Sequence, residues 1–152
     1  MVLGSVLAAL SVFMLVPTLL AVIDQSGHQR AFLWSAAISL IAALLLVGAS
    51  YRTWRRSNGL LPRQLFLITA SVWFALPVFA GLPLYFGVDG MSWTDAVFEA
   101  VSGMTTTGST VLTGLDDMSR DLLLWRSLLQ WMGASVSSAW LPLCFLSCVS
   151  VA

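Results

Sequence analysis

The chain has 152 residues, of which 59% are hydrophobic and only 9% charged; seven arginines balance seven acids and there is no lysine. A water-soluble domain carries about a quarter charged residues, so a soluble enzyme and a nucleic-acid-binding protein are both excluded, and a mean hydropathy of +0.91 points to a bilayer as the solvent. No Ser/His pair, metal-ligand cluster or glycine-rich phosphate loop supports an enzyme, and no organic cofactor is expected.

Met1–Ile23 carries no charge and ends at Asp24. It lacks the basic lead of a secretory signal and is longer than the usual apolar core of ~7–15 residues, so it reads as a retained crossing helix. Gly4 with Ala8 and Ser5 with Ala9 place small residues at helical spacing, which reads either as a face suited to close helix contact or as the ordinary abundance of such residues in membrane helices. A short polar turn with the single histidine, His28, follows; nothing local assigns that histidine a role. Ala31–Tyr51 is a second charge-free span and Gln64–Val88 a third, with Pro77 and Pro83 predicting a kink or early stop near its far end.

Residues 52–63 hold four arginines and no acid, while residues 89–121 hold six acids and one arginine. The positive-inside rule places the arginine loop, and with it the N-terminus, in the cytoplasm.

Trp93–Met104 is about 18 Å long as a helix, too short to cross. Trp93, Ala96, Val97, Ala100, Val101 and Met104 fall on one face, and Asp95, Glu99 and Ser102 on another. Ser92 with Asp95 three residues on resembles a capping box. The polar run Thr105, Thr106, Thr107, Gly108, Ser109, Thr110 follows. Three arrangements fit a short helix and polar backbone between apolar spans: an exposed loop, a segment flat on the interface, or a re-entrant segment lining a water-filled path. For the last, Gly108 permits consecutive carbonyls to face one axis, and the threonine hydroxyls can coordinate a cation or tie the loop to its helix. The acids Asp89, Asp116, Asp117 and Asp121 would concentrate cations nearby.

From Leu122 onward a fourth crossing is possible, since no charge appears after Arg126. Arg126 and Gln130 share a helix face; Arg126 either pairs with Glu99 or an outer acid, or snorkels to the interface. Pro142 would bend this helix, and Cys144 and Cys148 read as buried or lipid-facing thiols.

Several stretches together resemble one family. "WTDAVFEAVSGMTTTGSTVLTGLDDM" followed by "LLLWRSLLQWMG", with "GLPLYF" before them, is similar to the first pore repeat of the Trk/Ktr/HKT potassium transporters, TrkH-type members above all. The resemblance implies an all-α membrane protein in which two leading transmembrane helices, residues 1–51, precede a helix, pore-helix, helix unit at 64–133. The connection 52–63 would be cytoplasmic, the pore helix 93–104 and the filter 105–110. The family repeats this unit four times around one potassium path in a bacterial inner membrane. Carried over by position, Thr106, Thr107, Gly108 and Ser109 would line that path, with potassium at Thr106, Thr107 and Gly108, and Glu99, Arg126 and Gln130 as structural support.

Implied partners are membrane lipid, the remaining pore repeats or a full-length transporter subunit, and a cytosolic nucleotide-binding ring protein; none is a nucleic acid. The implied function is potassium transport. The alternative is a non-transporting, truncated membrane protein acting as an assembly or interaction partner. Close resemblance ends at Gly133, so residues 134–152 read as a divergent hydrophobic tail, which predicts an interrupted reading frame or a shortened product.

Overall fold

Three stretches too apolar for water set the architecture. The computed structural model describes the backbone of residues 2–54 and 62–149, and the side chains of those residues other than 51–54, 62, 65, 117 and 136–149. Among the described residues, three helical stretches are long and apolar enough to cross a membrane: Val2–Ile23, Gln29–Ser50 and Phe66–Gly87. Their outward faces are hydrocarbon, with Phe74 82% exposed and Ile23, Phe66 and Leu45 similarly bare. That surface suits lipid rather than water.

Two of the three crossings are broken, each by proline. The first divides into α1 (Val2–Phe13) and α2 (Leu15–Ile23) at Met14. Pro17 has no N–H to offer Phe13, and its ring crowds that carbonyl; the sequence reading treated this span as one helix. The third divides into α4 (Pro62–Ala80) and α5 (Leu82–Gly87) at Gly81, between Pro77 and Pro83, where a kink was expected. Between them α3 (Gln29–Trp54) runs unbroken. The short helix α6 spans Trp93–Met104, as predicted, and α7 spans Arg120–Val149 after a 3-10 turn at Leu115–Asp117.

Close approach depends on glycine at defined points. A methyl at Gly4 would stand 2.7 Å from Val47 Cγ2 and 2.9 Å from the Ala43 carbonyl, so α1 and α3 meet nearly backbone to backbone. The expected Gly4 and Ala8 face is the one turned inward, whereas Ser5 and Ala9 are exposed. A methyl at Gly81 would lie 2.9 Å from the Ala96 carbonyl, seating the α4–α5 break on α6. At Gly133 it would coincide with the Met104 carbonyl, so α7 rests directly on the carboxyl end of α6.

Leu7, Leu10, Met14, Phe32, Leu76, Leu84, Trp125 and Leu129 fill the space between these helices. Phe32 meets Trp125 edge-on at 6.2 Å, and Trp125 donates its indole N–H to the Ala80 carbonyl at the helix break, 3.0 Å away. The polar indole edge thereby satisfies backbone that the break exposes.

The arginine-rich connection lies largely outside the described residues, and so do the side chains of Pro142, Cys144 and Cys148. The substitution Gly133→Ala is expected to lift α7 from α6 and lower stability by roughly 1–3 kcal/mol or more. Thermal unfolding in detergent micelles checks this.

Candidate ion-path segment

Helix α6 starts where its cap requires. Ser92 has extended backbone and its Oγ accepts the Asp95 N–H at 3.1 Å. Instead of the reciprocal half of a capping box, the Ser92 hydroxyl donates to Asp95 Oδ2 at 2.7 Å. Asp95 also complements the positive end of the helix dipole.

Burial on α6 cuts across the two faces of the sequence pattern. Trp93 and Val101 are exposed, while Glu99 and Ser102 are buried with Ala96, Ala100 and Met104. The physical reason is that the polar side chains hold the segment that returns beside the helix. Glu99 Oε1 accepts the Thr110 hydroxyl at 2.5 Å and the Val111 N–H at 2.7 Å, with the Leu112 N–H at 3.4 Å. Ser102 Oγ donates to the Ser109 carbonyl at 2.5 Å.

The turn itself is drawn tightly onto the end of α6. Thr106 N–H bonds the Gly103 carbonyl at 3.0 Å, and Thr107 N–H bonds the Ser102 carbonyl at 3.1 Å, with Gly108 N–H 3.5 Å from the same oxygen. Thr105 Oγ1 donates to the Val101 carbonyl at 2.8 Å and lies 2.8 Å from Thr107 Oγ1. The backbone alternates in hand: Thr106 has φ 57° and Gly108 φ 75°. Left-handed geometry is ordinary for glycine and strained for a β-branched threonine, at about 1–3 kcal/mol. Amides directed at α6 and left-handed residues at alternate positions leave the carbonyls of Thr106, Thr107 and Gly108 with no hydrogen bond from any described residue. The six residues 105–110 are exposed.

Arg126 completes the support. Its Nε stands 3.0 Å from Glu99 Oε2, the pairing anticipated as one of two readings. Oε2 has no aligned hydrogen-bond donor among the described residues, so proximity of charge rather than a shared proton neutralises it. Gln130, one turn further along α7, lies beside the glycine of the turn: a methyl on Gly108 would be 3.9 Å from its Nε2.

Asp121 is not a surface attractor as the sequence suggested. It is fully buried, with Oδ2 3.2 Å from His28 Nδ1 and 3.2 Å from Ser26 Oγ. Asp89 and Asp116 are exposed, and the Asp117 side chain lies outside the described residues. Nothing in the sequence pattern signals that His28 and Asp121 meet, because a pairing across that separation leaves no periodic trace.

The chain as a whole is similar to known proteins. The family described as "TrkH: Cation transport protein" matches residues 7–148, continuing past Gly133. The potassium uptake protein TrkI of Halomonas elongata is 43% identical over 82% of the chain and 25% of its own length. TrkH of Escherichia coli is 35% identical over 87% of the chain and 27% of its own length. The crystal structure of the potassium transporter TrkH from Vibrio parahaemolyticus superposes with a TM-score of 0.77 at 34% identity, over 87% of this chain and 28% of that one. The chain thus spans about a quarter of the length of the relatives it matches. With the match covering nearly all of its residues, the chain is a multi-pass membrane protein that belongs to the TrkH family of cation transport proteins, which are transporters and not enzymes.

Proposed function

We propose that this chain forms one wall of a potassium path, with the carbonyls of Thr106, Thr107 and Gly108 replacing water around the ion. The observation that carries this reading is the row of unbonded carbonyls in a turn of alternating hand, held by its amides to the end of a short helix. Carbonyl dipoles at close quarters exchange for a hydration shell, and the negative end of the α6 dipole stands behind them. Thr105 and Thr110 serve the scaffold, since both hydroxyls are spent on α6. Ser109 contributes to the path through its side chain, because its carbonyl is turned back to Ser102.

In this reading α4 and α5 form the outer helix of a pore repeat, α6 the pore helix and α7 the inner helix. Glu99, Arg126 and Gln130 brace the filter. The arginine loop faces the cytoplasm of a bacterial cell, the filter opens on the other side, and a cytosolic nucleotide-binding ring protein docks below. The remaining pore walls come from other repeats.

A second reading is favoured by the exposure of all six turn residues in one chain: a non-transporting membrane protein that assembles with a larger transporter. A bacterium without its own potassium uptake discriminates the two. Under the first reading, a chimera in which residues 64–133 replace the matching repeat of the Vibrio parahaemolyticus transporter supports growth at low potassium. A folded, membrane-inserted chimera that gives no uptake, together with co-purification of the native chain with a full-length transporter, favours the second.

Within the active chimera, Gly108→Ala is expected to cut uptake about tenfold or more, because a left-handed alanine costs roughly 1–2 kcal/mol and the turn relaxes. Arg126→Gln leaves the Glu99 carboxylate buried and unpaired, a loss of about 3–5 kcal/mol. Chemical denaturation of the reconstituted protein should show it, with partial recovery in the double variant Glu99→Gln, Arg126→Gln.

A further inference from the structure

The turn between the two leading helices reaches across the molecule to α7. Gln25 and Gly27 both adopt left-handed backbone, with φ 51° and φ 83°. Between and after them, Ser26 and His28 present their side chains to one carboxylate oxygen, Asp121 Oδ2, each at 3.2 Å. Ser119 Oγ lies 3.2 Å from the same imidazole nitrogen. Asp121 has no exposed surface, and its Oδ1 has no partner among the described residues. A buried carboxylate with one empty oxygen depends heavily on whatever neutralises the other.

Along α7 from Asp121, every turn carries a contact with the filter scaffold. Trp125 bonds the Ala80 carbonyl, Arg126 faces Glu99, Leu129 packs on Gly103, and Gly133 seats on Met104. A shift of α7 along its axis therefore moves the groups that hold the returning strand.

We propose that Asp121 is a positioning residue for the filter: gripped by Ser26 and His28 of the leading hairpin, it fixes the height of α7. The leading helices, which supply no filter residue, thereby set filter geometry. The functional meaning of this rests on the transport reading above; the positional claim does not.

Amide hydrogen exchange of the chain in lipid nanodiscs tests this. His28→Ala and Asp121→Asn are each expected to speed exchange across residues 105–112 roughly fivefold, as well as at the turn itself. His28→Lys, which keeps a donor for Asp121 Oδ2, should leave residues 105–112 protected. Faster exchange confined to residues 24–30 and 119–123 overturns the positioning role. If Asp121→Asn does not fold, the two variants at the partly exposed His28 decide the matter. Exchange is indifferent to whether an ion passes, so failure of the transport reading shows separately, as lost uptake with intact protection.

Discussion

One buried carboxylate organises the polar half of this membrane protein. Glu99 sits inside the short helix α6, accepts a hydroxyl and backbone amides from the strand that returns beside it, and faces the guanidinium of Arg126 on α7. Backbone outside helices is tolerated at membrane depth only when its polar groups find partners. Glu99 supplies those partners behind the turn, which allows the carbonyls in front to remain open. Charge-assisted bonds of this kind are stronger than neutral ones, and an ion pair whose carboxylate is fully buried is unforgiving of the loss of either member.

The same division of labour runs through the whole chain. Hydrocarbon faces outward, as on Phe74 and Ile23, and polar side chains turn in toward backbone. Buried Thr18, Ser35 and Ser39 return their hydroxyls to carbonyls four residues earlier in the chain, which removes the penalty of burying them. At the helix break near Gly81 a neighbour repairs the gap, since Trp125 bonds the Ala80 carbonyl.

Much of this was legible beforehand because it depends on local pattern. The bounds of α6 followed from its length and from Ser92 and Asp95, and the kink near Gly81 from two prolines. Glu99 opposite Arg126 could be named because few charges occur in an apolar chain. What escaped is tertiary. Periodicity assigned Glu99 and Ser102 to the polar side of α6, but in a chain whose solvent is lipid the polar side is the inner one. The break at Met14 was missed because one proline in a long apolar run does not announce which carbonyl it will displace. Asp121 was read as one of several loop acids; only the folded turn at Gln25 and Gly27 brings His28 onto it. The left-handed Thr106 has no sequence signature, since threonine disfavours that geometry.

The glycine seats at Gly4, Gly81 and Gly133 have a consequence for how such a molecule tolerates change. At an ordinary helix interface, an enlarged side chain is accommodated when its neighbour adopts another rotamer. At Gly81 and Gly133 the opposing surface is main chain, which has no rotamer to offer. Volume added there has nowhere to go except into displacement of a whole helix, so sequence drift should be freest on the lipid side and narrowest at these small, chemically bland positions.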